Sequence, residues 1–126
     1  MKLPQRVSVG DITVRDGFQS ETRVIPTEAK LFIINSLIEA GFREMEVSAF
    51  APTRFQPQFR DCEEVLRNLP QRNDIVYSCV TTGKKATERA FAAREQGLRV
   101  DRILLGIIPG SEKLNKTIVG MNYPET

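Results

Sequence analysis

The pattern of residues predicts an α/β protein built on a parallel sheet, and three observations carry that reading. Apolar, β-branched runs recur at residues 7–14, 44–50, 74–80 and 101–108. Segments with apolar residues at helical spacing lie between them. The run centres, near Val14, Val47, Val80 and Leu105, recur at an interval close to the 30 or so residues of a βαβ unit. No residue-by-residue repeat accompanies this spacing, so what repeats is architecture. Alternating elements with right-handed crossovers make the strands parallel. Four such strands suit either an open doubly wound sheet or half of a (βα)8 barrel.

Each element has its own signal. The first run, residues 7–14, ends at Arg15-Asp16-Gly17, a turn signature in which Gly17 would supply a positive φ. Pro26-Thr27-Glu28 then opens a helix, with Thr27 as its cap and Glu28 at its positive end. Leu31, Ile34, Leu37 and Ile38 form its apolar stripe, and Gly41 ends it. The second strand runs over residues 44–50, with Phe42, Glu44, Glu46, Ser48 and Phe50 on one face and Met45, Val47 and Ala49 on the other. A proline-punctuated loop, 51–60, leads to Asp61, which would cap a second helix carrying Glu63 and Glu64 in its first turn. Val65, Leu66 and Leu69 are that helix's apolar side, and Pro70 stops it. A third strand covers 74–80. A third helix begins near Thr81 or Thr82, with Ala86, Ala90, Phe91 and Ala93 for packing and Gly97 past its end. The fourth run, 101–108, is nearly all aliphatic until Pro109-Gly110-Ser111 breaks it. Asn122-Tyr123-Pro124-Glu125-Thr126 reads as the start of another helix, so the chain is expected to stop partway through a fold.

Composition narrows the function. The 126 residues suffice for one domain with a real core. Eighteen basic and sixteen acidic side chains are well mixed, giving a net charge of +2 and no basic stripe, so nucleic acid is not suggested. No apolar run approaches the roughly 20 residues that span a bilayer. The opening residues lack the apolar core of a signal peptide. Cys62 and Cys79 form no CxxC, and reduced cytosolic thiols are the expectation, which places the protein in the cytoplasm. Histidine is absent altogether. A Ser-His-Asp or Cys-His arrangement within this sequence is therefore excluded.

What remains is charge inside strands. Arg15, Asp16 and Glu46 sit in or at the end of apolar runs, where a charge is costly unless it is paired or used. Adjacent strands lie about 5 Å apart, so Asp16 and Glu46 would open into one polar cluster with Arg15 beside it. Asp-Gly alone is an ordinary turn, and an edge strand would explain Glu46 as a solvated face. A second strand inside a continuing parallel sheet makes the edge explanation weaker. No GxGxxG follows the first strand, and Gly83-Lys84-Lys85 lacks the rest of a P-loop, leaving Lys84 and Lys85 as a solvated helix start.

The strand ending in RDGFQ, then Glu21, PTEAKLFIINSLIEAGF, EMEVSAF and a loop with PQF, resembles the hydroxymethylglutaryl-CoA lyase branch of the metal-dependent lyase and aldolase barrels. That superfamily includes pyruvate carboxyltransferase-type domains. The resemblance runs from about residue 7 to 126. It implies a (βα)8 TIM barrel of which this chain is about the first four βα units, a single partial domain over 1–126. It implies a carbon–carbon lyase that cleaves an acyl-CoA by a retro-aldol reaction to acetyl-CoA and a ketoacid. By the resemblance Asp16 matches a ligand for a divalent metal, Mg²⁺ or Mn²⁺, and hard oxygen ligation suits both. Arg15 matches the arginine that stabilises the enolate oxygen, Glu46 the glutamate that holds the site together, and Gln19 a position beside the substrate.

The departures are as specific. The family's other metal ligands, a His-x-His pair and an asparagine, belong to the later half of the barrel, as does its catalytic cysteine; Cys62 and Cys79 are not that cysteine. Pro52-Thr53-Arg54 stands where these lyases usually show Ser-Pro-Lys, and Thr82-Gly83 where they show Pro-Asn. Two alternatives therefore accompany the lyase: a carboxyltransferase or aldolase domain of the same superfamily, and a non-catalytic half-barrel binding module. In either case the open sheet edges predict a homo-oligomer or a complementing C-terminal half.

Overall fold

The computed structural model describes residues 3–106 together with 112, 113 and 116. The segment 109–111 and the helix start expected at 122–126 lie outside the described residues. Four strands, β1 (Gly10–Asp11), β2 (Glu44–Phe50), β3 (Val76–Thr81) and β4 (Arg102–Leu105), form one sheet in the order β1-β2-β3-β4. Every pairing is parallel. Helices α1 (Thr27–Glu39), α2 (Cys62–Arg67) and α3 (Lys84–Glu95) make the crossovers. Sequential order without a reversal is what a barrel segment requires and a doubly wound sheet lacks.

The helix-facing side of the sheet holds the core. Met45, Val47 and Phe50 of β2 pack with Tyr77 and Cys79 of β3, Ile34 and Ile38 of α1, Val65 and Leu66 of α2, and Ala86, Ala90 and Ala93 of α3. The small residues of α3 let that helix lie close to the sheet. Phe91, expected among them, is 52% exposed and points away. On the sheet's other face Ala49, Ala51, Phe59 and Val80 form a separate small cluster.

Phe50 and Ala49 thus exchange the faces expected of them. The β2–β3 register shifts between Glu46 and Ser48, so that Glu46 pairs with Ser78 but Ser48 already pairs with Cys79. One extra residue inverts the alternation downstream. Glu46, upstream of the shift, keeps its expected face.

The first strand is far shorter than its apolar run. Asp11 ends it by accepting bonds from the Thr13 main-chain N–H (2.8 Å) and hydroxyl (3.0 Å), which turns the chain out of the extended state. Residues Thr13–Gly17 then form a π-helical turn, with the Gly17 N–H donating to the Ile12 carbonyl five residues back. Val14 is buried within this turn, not within a strand. Gly17 is not among the positive-φ glycines; Gly41, Gly83 and Gly97 are, and Gly41 and Gly97 follow helices as expected.

The expected caps also differ. Pro26 and Asp61 precede α1 and α2 without a side-chain cap bond. Thr27 and Asp61 bond each other instead, hydroxyl to carboxylate at 2.8 Å, so tertiary contact has taken both groups from their local roles. Helix α3 starts at Lys84 because Thr81 completes β3, fully buried.

Candidate functional site

The π turn and β2 bring Arg15, Asp16 and Glu46 together. Glu46 Oε2 accepts from Arg15 Nε at 2.6 Å and from Nη2 at 2.5 Å, while Arg15 Nη1 lies 2.6 Å from Asp16 Oδ1. The turn explains how neighbours in sequence can act together: in a strand residues 15 and 16 would point to opposite faces. In the π turn both side chains reach the β2 side. The side chains of Arg15 and Glu46 are 17% and 18% exposed, and that of Asp16 is 51% exposed.

One guanidinium thus serves two carboxylates, which leaves the cluster with a net negative charge. Arg15 is held in place by Glu46, and its five N–H donors exceed the three contacts these carboxylates make. Asp16 offers a carboxylate to solvent. The arrangement can hold a cation at Asp16 and present a fixed guanidinium to a developing anion beside it. Gln19 follows in a short helical continuation of the turn and is half-buried. Among the described residues no hydrogen bond joins it to the cluster.

The chain's own donors fit a divalent cation in kind but not in number. A carboxylate is the oxygen ligand such ions prefer, yet among the described residues no group of three or more His, Cys, Asp or Glu side chains is placed to hold a metal.

Other charged groups resolve differently. Glu44, one pair upstream of Glu46 on the same face, accepts from the Ser8 hydroxyl (2.6 Å) and from Arg102 Nη1 (2.9 Å). The Ser8 bond, then Arg102, hold its carboxyl below the usual range. Cys62 and Cys79, apart in sequence, meet in the core as free, buried thiols. Hydrogen bonding with Cys62, reinforced by burial, pushes the Cys79 thiol well up, so Cys79 is no thiolate nucleophile.

Sequence reasoning passed over Lys30. It is 1% exposed, and its ammonium donates to Asp61 Oδ1 and to the Gln58 carbonyl, each at 2.6 Å. A signal existed: Lys30, Ile34 and Ile38 fall on one i, i+4, i+8 line, and these three are the buried residues of α1.

Comparison with known proteins identifies the family and the fold. The family model described as HMGL-like matches residues 6–121. The chain is 34% identical over 91 residues to the cytoplasmic 3-hydroxy-3-methylglutaryl-CoA lyase of Mus musculus, covering 72% of this chain and 26% of that protein. To the mitochondrial hydroxymethylglutaryl-CoA lyase of Gallus gallus it is 36% identical over 91 residues, covering 72% of this chain and 30% of the relative. Among solved structures, an HMG-CoA lyase from Acinetobacter baumannii in complex with coenzyme A and 3-methylmalate superimposes with a TM-score of 0.79 at 28% identity, over 93% of this chain and 36% of that one. The HMG-CoA lyase from Brucella melitensis gives 0.75 at 29% identity, over 94% and 40%. The chain therefore spans between about a quarter and two fifths of the proteins it matches. Its fold is the corresponding part of a TIM barrel, and the chain belongs to the HMGL-like family.

Proposed function

We propose that this chain is a single partial-barrel domain, the first four βα units of a metal-dependent carbon–carbon lyase acting on an acyl-CoA, most like hydroxymethylglutaryl-CoA lyase. The observation that carries the reading is the Arg15–Asp16–Glu46 cluster, one cation between two carboxylates with Asp16 half-exposed. Asp16 would contribute one oxygen ligand to Mg²⁺ or Mn²⁺. The remaining ligands come from outside this sequence, which has no histidine. The metal, when bound, supplies polarisation of a substrate oxygen. Glu46 fixes the Arg15 guanidinium, and Arg15 stabilises the enolate oxygen released as the carbon–carbon bond breaks. Gln19 sits beside the substrate. A structural neighbour holds coenzyme A, which supports an acyl-CoA as the substrate class.

The later strands of the barrel, supplied by a complementing segment, would cover the exposed apolar side chains of Val7, Val9 and Ile12 beside β1. A second copy of the chain is the other occupant of that edge. No helix among the described residues is long and apolar enough to cross a membrane, and relatives include both a cytoplasmic and mitochondrial lyases; a cytoplasmic location follows the reading of the cysteines as reduced.

The test combines this chain with the later half of a family barrel and measures cleavage of hydroxymethylglutaryl-CoA with Mg²⁺ or Mn²⁺. Metal-dependent release of acetyl-CoA is expected from the complete assembly, and little from the chain alone. Asp16→Ala should weaken metal affinity at least about tenfold, since even outer-shell partners of metal ligands are worth about 10–100-fold. Normal metal affinity in that variant would remove Asp16 from the site.

A further inference from the structure

Residues 18–26 follow the π turn that carries Arg15 and Asp16, and residues 51–60 leave the carboxyl end of β2, the strand that carries Glu46. A single chain of hydrogen bonds joins them to α1. Lys30 Nζ donates to the Gln58 carbonyl (2.6 Å) and to Asp61 Oδ1 (2.6 Å). Asp61 Oδ2 accepts from the Thr27 hydroxyl (2.8 Å), and the Gln58 side-chain amide donates to the Glu21 carbonyl (2.5 Å). The chain thus runs from α1 into the 51–60 connection and from there into the 18–26 connection.

Packing alone does not call for a lysine here. Its companions on the buried line of α1 are Ile34 and Ile38, and an apolar residue at position 30 would join the helix to α2 without desolvating an ammonium. An apolar residue cannot grip a main-chain carbonyl. The Gln58 carbonyl belongs to Pro57–Phe59, a single 3₁₀ turn with few bonds of its own. A buried ammonium aimed at that carbonyl fixes the turn, and the turn's glutamine then fixes Glu21.

We propose that Lys30 is a positioning residue, which through Gln58 and Asp61 sets the spacing of the two connections at the mouth of the site. It touches no reacting atom. Its consequence for substrate binding rests on the lyase reading above; its consequence for the two connections does not.

Two variants of the full chain separate positioning from packing. Gln58→Ala cuts only the bridge to Glu21. The double substitution K30M/D61L removes both charges together, which avoids leaving one buried and unpaired. Hydrogen–deuterium exchange read by mass spectrometry reports on the amides of Glu21, Phe55, Gln56, Phe59 and Arg60, each bonded within its own connection. Gln58→Ala should speed exchange in 18–26, and K30M/D61L in both connections. The expected acceleration is about threefold to tenfold for Gln58→Ala, which loses one neutral bond, and about tenfold or more for K30M/D61L, which loses charge-assisted bonds, with β3 protection unchanged. In the completed barrel both variants should raise KM for the acyl-CoA more than they lower kcat. Unchanged exchange in both connections overturns the proposal. So does equal acceleration in β3, which would make Lys30 a packing residue only. If the unsubstituted barrel cleaves no acyl-CoA, the lyase reading fails, and the exchange data still decide the role of Lys30.

Discussion

Two arginine–carboxylate clusters stand on different strand pairs of the sheet, one at β1 and β2 and one at β3 and β4, and they differ in stoichiometry. At the amino ends of β3 and β4, Arg99 meets one carboxylate. Its Nε and Nη2 reach the two oxygens of Asp101 at 3.2 and 2.8 Å, and two further N–H donors take the carbonyls of Arg72 and Ile75 at 3.1 Å. Asp101 also accepts from the Tyr77 main-chain N–H, and the guanidinium lies 5.2 Å over the Tyr77 ring. Charge is balanced, and four of the five N–H donors are used, against three of five at Arg15. Beyond the end of β1 and within β2, Arg15 meets two carboxylates, and one of them stays half in solvent. The first cluster is closed and holds strands in register. The second is open, with an unbalanced negative charge and donors to spare, which is what a site for a cation and a developing anion requires. Residue types alone do not separate them; the count of partners does.

Exchanging the arginines' roles is the strongest test of that comparison. In the completed barrel Arg15→Met should lower kcat by about 10²–10³, the cost of removing one pre-placed donor from a developing oxyanion, read at a temperature where the variant is folded because Glu46 loses its partner. Arg99→Met should act on stability and not on turnover. It strands Asp101 and two carbonyls, and should cost about 2–3 kcal/mol in chemical denaturation with kcat little changed. A catalytic loss from Arg99→Met equal to that from Arg15→Met would erase the distinction.

Acid sharpens it further. Burial acts to raise the Asp101 pKa, but the Arg99 bond, the Tyr77 N–H and the Arg99 charge outweigh it and hold the carboxyl below its usual range. A depressed folded-state pKa means stability that is complete above the ordinary aspartate value of about 3.9 and is lost as pH falls through the lower folded value. Asp101→Asn should therefore flatten the acid limb of a stability–pH curve and leave the neutral plateau lower. An acid limb of unchanged steepness would show that the closed cluster does not carry it.

The smallest effect belongs to the thiols. Cys62 and Cys79 are fully buried and Cys79 is held protonated, so a thiol reagent at neutral pH should label neither in the folded chain within the time that labels both in denaturant. Rapid labelling of Cys79 in the native state would contradict the closed core.

The sequence by itself determined the alternation of strands and helices, the bounds of β2 at residues 44 and 50, the helix-ending roles of Gly41 and Gly97, and the membership of the Arg15–Asp16–Glu46 cluster. These follow from local rules: side-chain periodicity, the steric freedom of glycine and the cost of charge in an apolar run. Tertiary structure alone decided which groups the local rules would lose. Asp11 and the π turn, not a strand end, aim Arg15 and Asp16 the same way. The register shift after Glu46 sends Phe50 to the helices. Thr27 and Asp61 give up their helix caps because each is the other's partner across α1 and α2, and Lys30 enters an apolar stripe because Asp61 and a loop carbonyl wait there. The Asp11 turn is local, but in the other cases the deciding partner is about 30 residues away in the chain or belongs to a neighbouring strand, and a contact across that distance leaves no period in the sequence to read.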